Sequence, residues 1–63
     1  MTIQEILKSL KKEPKTVEKV AKELKMKTGD VVEFIKSMEI MQLIYREKDF
    51  LVITDRGRKL IKK

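Results

Sequence analysis

Two amphipathic segments joined by a short break constrain this chain more than any other feature of its sequence. Between residues 16 and 44, apolar residues recur twice at positions i, i+3, i+4 and i+7: first Val17, Val20, Ala21 and Leu24, and then Val31, Phe34, Ile35 and Met38. Each set forms a single apolar stripe on an α-helix. Because helices this short cannot bury such stripes alone, we expect the two helices to pack across each other around a tight turn at residues 25–29.

A capping box and a proline mark another helix before this pair. Thr2 and Glu5 have the capping-box spacing, in which each side chain can satisfy a free backbone N–H of the first turn. The apolar stripe then follows at Ile3, Ile6, Leu7 and Leu10. Pro14 ends the helix near residue 12, because proline disfavours helical backbone angles in the residue before it.

Short polar side chains supply candidate caps for the two central helices. Thr16 can cap the second helix, which is predicted for residues 17–25. Either Thr28 or Asp30 can cap the third helix, which is predicted to end near residue 40. A helix, a short turn and a second helix form the helix-turn-helix arrangement, in which the second helix is presented to a partner.

The C-terminal third changes character and predicts a β-hairpin followed by a last helix. Residues 43–46 and 50–53 are short apolar runs rich in β-branched and aromatic residues, and residues 47–49 form a polar turn between them. We expect Tyr45 and Phe50 to fill the contact between hairpin and helices, with stacking on a base as the alternative. Thr54 and Asp55 cap a last helix that extends to residue 63 and directs Leu60 and Ile61 inward.

Composition limits the classes of function that the chain can have. The sequence has no Cys and no His among its 63 residues, so we expect no disulfide, no zinc site and no catalytic nucleophile–base pair. With two glycines it has no phosphate-binding loop, and no apolar run approaches the ~20 residues of a membrane span. We expect a single cytoplasmic domain over residues 1–63 that is not an enzyme and uses no cofactor, metal or small-molecule ligand. The abundance of Lys and Glu is typical of thermophile proteins.

Charge is distributed unevenly along the chain. The net charge is +6, which suits a polyanionic partner or a surface kept soluble by lysine. Residues 1–27 and 45–63 each carry an excess of four positive charges, whereas residues 28–44 carry an excess of two negative charges. The third helix is therefore an acidic part of a basic protein.

The predicted order of three helices, hairpin and helix is that of a winged helix-turn-helix domain, an α+β, mostly α fold. From Ala21, the run AKELKMKTGDVVEFIKSMEIMQLI resembles transcriptional regulators of the MarR and PadR kind: a small residue, a Leu before the turn, V-x-x-x-L-x-x-L and a closing Gly-Leu-Ile. The run FLVITDRGRKLI resembles their ending Y-x-L-T-x-x-G-R-x-L. The resemblance implies binding of double-stranded DNA, with the third helix in the major groove and the hairpin turn on the backbone or minor groove.

The chain departs from that pattern in the turn and at the end of the third helix. Lys25 stands where the turn usually has Gly, and Lys27 where it often has a Ser or Thr cap. Gln42 replaces the Gly of Gly-Leu-Ile, a position that often needs a positive φ.

The residues expected to contact DNA surround the third helix and the hairpin. We assign phosphate contacts to Lys15, Lys25, Lys27, Arg46 and Lys48, and contacts from the presented helix to Thr28, Glu33, Lys36 and Ser37. This helix offers no Arg, Asn or Gln, the side chains that most often read guanine and adenine.

Apolar residues on the third helix leave a second function open. Val32 and Ile40 lie off its buried stripe, and clustered exposed apolar residues mark protein interfaces. The alternative is therefore a winged-helix module that binds another protein. A weak homodimer is also expected, through the first helix, the last helix or these apolar residues.

Overall fold

The computed structural model describes residues 2–61 and has the α+β, mostly α architecture that the sequence predicts. The elements follow in the order α1 (Thr2–Lys12), α2 (Val17–Leu24), α3 (Thr28–Ile40), β1 (Ile44–Glu47), β2 (Phe50–Ile53) and α4 (Asp55–Leu60). Three helices followed by an antiparallel hairpin are compatible with a winged-helix-like fold. No helix in the described part of the chain is long and apolar enough to cross a membrane.

One apolar core joins the first three helices to the inner face of the hairpin. The residues that the stripes predicted as buried supply most of it, and the hairpin together with Leu43, which precedes it, adds four more. The buried apolar residues are Ile6, Leu7, Leu10, Val20, Ala21, Val31, Ile35, Met38, Leu43, Ile44, Leu51 and Ile53. Val17, Leu24 and Phe34 pack at the edge of this core and are partly buried.

The helix caps agree with the sequence at α2 and differ from it at α3. Thr16 caps α2 as predicted, because its hydroxyl oxygen accepts the backbone N–H of Lys19 at 3.2 Å. The predicted caps Thr28 and Asp30 are wrong, since α3 already begins at Thr28 and its N-cap is Lys27, which makes no side-chain cap hydrogen bond. Asp30 lies instead in the first turn of α3, where the negative charge of a carboxylate interacts favourably with the helix dipole.

Two positions where the resemblance expects glycine have a left-handed backbone. Lys25 ends α2 with a φ of 58°, and its N–H donates to the carbonyls of Ala21 and Lys22. Gln42 follows α3 with a φ of 61°. The chain therefore keeps the backbone shape of these turns while using side chains that tolerate it less well than glycine.

The hairpin turn is one residue shorter than predicted. Glu47 belongs to β1 and lies opposite Phe50, so the turn consists of Lys48 and Asp49, with Lys48 at a φ of 57°. On its other side β2 is bridged by Lys15, whose N–H donates to the Leu51 carbonyl at 3.3 Å and whose carbonyl accepts the Leu51 N–H at 2.7 Å. This bridge ties the α1–α2 connection to the hairpin.

Two aromatic side chains of the hairpin lie further out than the sequence predicts. Tyr45 and Phe50 are 48% and 47% exposed, so they do not fill the contact between hairpin and helices. They lie on the hairpin face opposite the core, because Tyr45 faces Val52 and Phe50 faces Glu47 across the strands.

The last helix is shorter than predicted, and one of its two inward residues points outward. It ends at Leu60, because Ile61 has an extended backbone; residues 62 and 63 lie outside the described part of the chain. Leu60 is exposed, contrary to prediction, whereas Ile61 packs against the core as predicted.

Gly57 allows α4 to approach the backbone of Leu43, just before the hairpin. A Cβ at this position would overlap the carbonyl oxygen of Leu43 and lie 2.8 Å from a side-chain carbon of Ile53. We expect Gly57→Ala to lower the free energy of unfolding by about 1–3 kcal/mol, the usual cost of overpacking a filled site. Thermal or urea unfolding followed by circular dichroism measures this change.

Gly29 provides the matched control for Gly57. It also lies in a helix, but a Cβ there would meet no atom within 4 Å. Gly29→Ala should therefore leave the protein as stable as wild type or stabilise it by about 0.4–1 kcal/mol, because alanine restricts the unfolded chain. Equal effects of the two substitutions would contradict the close approach at Gly57.

Candidate nucleic-acid interface

A groove of about 480 Å³ lies between α2, α3 and the hairpin; we call it the wing groove. The start of α2 contributes Thr16, Val17 and Glu18, α3 contributes Thr28 and Val32, and the hairpin contributes Arg46, Lys48 and Asp49. The groove thus brings together four of the predicted contact residues: Thr28, Arg46, Lys48 and, from the alternative set, Val32.

The hairpin supplies the cations of the wing groove. Lys48 occupies the turn, where its side chain is exposed. Arg46 is also exposed, and its Nε lies 3.4 Å from a carboxylate oxygen of Glu39 on α3. Glu18 and Asp49 line the same groove, so its formal charge is balanced.

Two further cations lie in the turn between α2 and α3. Lys25 ends α2 and Lys27 precedes α3, and both side chains are exposed. Thr28, which lines the wing groove, follows Lys27 directly. Lys25 and Lys27 in this turn and Arg46 and Lys48 on the hairpin therefore give four exposed cations.

The exposed surface of α3 carries few groups that could read bases. Glu33, Lys36 and Ser37 are exposed, and the Lys36 ammonium lies 4.0 Å from a Glu33 carboxylate oxygen. Both side chains are largely solvated, so this contact contributes little stability. Ile40 is 82% exposed, whereas Val32 is half-buried in the wing groove.

Lys15 does not belong to this surface, which corrects the sequence prediction. Its side chain is buried, and its ammonium donates to the Ser9 hydroxyl at 2.9 Å and to the Glu23 carboxylate at 2.6 Å. Ser9 lies on α1 and Glu23 on α2, so Lys15 links two helices from the inside. A buried ammonium that is paired in this way cannot contact a phosphate.

The Lys15–Glu23 pair should make stability depend on pH on the acid side. The hydrogen bond from the Lys15 ammonium is the main cause that holds the Glu23 pKa below its ordinary value of 4.5. The pair's contribution is therefore fully present above that value and is lost as the pH falls through the lower pKa of the folded state. We expect Lys15→Met to flatten this part of the stability–pH curve, as measured by urea unfolding between neutral pH and pH 3.

Replacing either partner alone should have different consequences for stability at neutral pH. Glu23→Ala leaves a buried ammonium with the Ser9 hydroxyl as its remaining partner, and an unpaired buried charge is costly. Lys15→Met removes the charge and fills similar volume, so it should lie within about 1 kcal/mol of wild type or be more stable. Equal destabilisation by both variants would contradict this account.

Sequence reasoning missed four residues of the wing groove. Thr16, Val17, Glu18 and Asp49 line it, yet the sequence marks Thr16 as a cap, Val17 as part of the buried stripe and Asp49 as part of the hairpin turn, and it assigns Glu18 no role. A capping Thr followed by an acidic residue indicates the start of a helix and does not reveal what lies opposite it. Within residues 2–61, no group of three or more acidic side chains is arranged to hold a metal ion.

Comparison with known proteins found no relative: no family model matches the chain, and no curated protein or solved structure is significantly similar to it.

Proposed function

We propose that the protein is a small double-stranded DNA-binding protein of winged-helix type that acts as a transcriptional regulator. In this proposal α3 enters the major groove and the hairpin turn lies along the phosphate backbone. The observation that carries it is the wing groove, where the start of α2, the first turn of α3 and the cations Arg46 and Lys48 border one concave surface.

The dimensions and charge of the protein are consistent with this partner. α3 has 13 residues and is therefore about 20 Å long, and a major groove about 12 Å wide admits an α-helix. The net charge of +6 attracts a polyanion. Helix N-termini also donate free backbone N–H groups to phosphates, and the N-terminus of α2 opens onto the wing groove.

The composition of α3 makes weak sequence selectivity the expected mode of binding. Lys36 is the cation on this helix, and Glu33 lies beside it. Glu33 can accept a hydrogen bond from cytosine, but its charge repels phosphate. Affinity would then come mainly from Lys25, Lys27, Arg46 and Lys48, whose contacts to phosphate carry no sequence information.

A duplex titration at two salt concentrations tests the proposal. A labelled DNA duplex should bind at low salt and much more weakly at physiological salt. Unlabelled duplexes of different sequences should displace it about equally well. No binding at low salt would refute DNA as the partner.

The second candidate is a protein-interaction module, and the exposure of Ile40 favours it. A side chain that is 82% exposed on α3 is available to a partner, although a single exposed apolar residue is common on protein surfaces. Val32→Lys separates the two functions, because it adds a cation to the wing groove and replaces one of the two apolar residues of the alternative protein interface by a charge. It should strengthen DNA binding if DNA is the partner and abolish association if a protein is.

A further inference from the structure

Strand β1 has an outer edge that the sheet leaves unpaired within residues 2–61. Leu51 of β2 exchanges both backbone hydrogen bonds with Lys15, so its N–H and C=O point away from β1. Arg46 lies opposite Leu51, and in such an antiparallel pair both residues direct these groups outward. The N–H and C=O of Arg46, and those of Ile44 two residues earlier, therefore point to the outer edge of β1.

The hairpin face next to this edge is largely apolar. It consists of Tyr45 and Glu47 from β1 and of Val52 and Phe50 from β2, which we call the outer face. Tyr45 and Phe50 are each about half exposed. Tyr45 lies on the edge strand itself, so a strand added to β1 would cover it.

The charges near this edge favour a second copy over a nucleic acid. Residues 46–49 are Arg, Glu, Lys and Asp, which alternate in sign and sum to zero in a chain whose net charge is +6. Two copies can approach here without the repulsion that the lysine-rich helices would cause. The outer face itself carries Glu47 and no cation, so it does not attract a polyanion, whereas Arg46 and Lys48 line the wing groove on the other side of the hairpin.

We propose that β1 pairs antiparallel with β1 of a second copy around a two-fold axis at Tyr45. The register follows from the residues on the edge. An axis at Arg46 would place two guanidinium groups directly opposite each other, which is unfavourable. An axis at Ile44 would pair Arg46 with the partner's Gln42, whose φ of 61° takes it out of the strand.

In the Tyr45-centred register, Ile44 exchanges backbone hydrogen bonds with the partner's Arg46, and Arg46 does so with the partner's Ile44. The two hairpins then form one continuous sheet, and the two Tyr45 side chains lie side by side on its outer face. The wing groove lies on the inner side of the hairpin, so this pairing does not depend on the proposed DNA binding. The contact joins two strands of four residues and uses the same residues from both copies, so we expect a weak dimer.

Disulfide trapping tests the register, because the natural chain has no Cys. Tyr45→Cys would bring two thiols together across a non-hydrogen-bonded pair, where Cα atoms lie about 4.5 Å apart. That spacing is suitable for a disulfide, so mild oxidation at high protein concentration should give a covalent dimer on a non-reducing gel. Phe50→Cys is the matched control: its sulfurs would be three strand spacings apart laterally, about 14 Å, and further apart still along the strands, so they should not cross-link.

Sedimentation gives an independent measurement of the same contact. Wild-type protein should show concentration-dependent dimerisation up to millimolar concentration, and Tyr45→Lys should weaken it several-fold because two ammonium groups would meet at the axis. A wild-type protein that stays monomeric, a dimer that persists in Tyr45→Lys, or equal cross-linking of the two Cys variants would overturn the proposal. Duplex binding is measured separately, so its failure leaves these outcomes unaffected.

Discussion

Replacing Ile35 by alanine should remove much of the stability of this domain. Ile35 is completely buried in the core, on the buried face of α3 that also carries Val31 and Met38. Large-to-small substitutions at such sites cost about 2–5 kcal/mol, because they lose transfer free energy and leave a cavity. A domain of this size has a total stability of about 3–9 kcal/mol, so the variant should melt at least about 8 °C below wild type or be unfolded.

Ile40 provides a control of the same residue type on the same helix. It is 82% exposed, so Ile40→Ala removes few contacts and also introduces a better helix former. Its free energy of unfolding should stay within about 0.5 kcal/mol of wild type. Both variants can be compared by thermal and urea unfolding; similar melting temperatures for the two would mean that α3 does not pack through the face containing Ile35.

The parts of the fold that the sequence predicts are those governed by local signals. The end of α1, the end of α3 and the Thr16 cap depend on residues within one or two helical turns of each other. The apolar stripes likewise identify the buried faces, because helical periodicity fixes which residues lie on one side. These features can be predicted without knowledge of what packs against them.

The features that the sequence does not reveal depend on distant contacts. Lys15 is buried because Ser9, Glu23 and the Leu51 backbone surround it, and no local pattern distinguishes it from an exposed lysine. The hairpin presents a different difficulty. In FLVI both faces are apolar, and in LIYR each face has at least one apolar residue, so alternation cannot tell which side is buried. The sequence therefore predicts the wrong side for Tyr45 and Phe50.

The candidate site likewise combines residues that the sequence predicts with an arrangement that depends on distant contacts. The sequence supplies the exposed cations Lys25, Lys27, Arg46 and Lys48, because these residue types are rarely buried. The groove that relates them to the N-terminus of α2 is a tertiary feature. Its acidic members, Glu18 and Asp49, offset the charge of Arg46 and Lys48, and no local pattern in the sequence places them beside those cations.

Removing two cations from the hairpin should halve the salt dependence of duplex binding. If Lys25, Lys27, Arg46 and Lys48 each neutralise one phosphate, log K should fall with log salt concentration with a slope of about −3.6. Affinity should then drop about 150-fold between 50 and 200 mM salt. In the double variant Arg46→Ala/Lys48→Ala the slope should be about −1.8, which corresponds to a drop of about 12-fold over the same range.

A charge-matched control distinguishes contacts at the wing groove from diffuse attraction. Lys8→Ala/Lys11→Ala removes the same two charges from exposed positions of α1, neither of which lines the groove. Fluorescence anisotropy of a labelled duplex at several salt concentrations gives the slope for each protein, and circular dichroism verifies that each is folded. We expect the α1 variant to keep a slope near −3.6, since its lysines would make no phosphate contact. If both variants lower the slope equally, binding depends on total charge, and the wing groove is not the surface that holds the DNA.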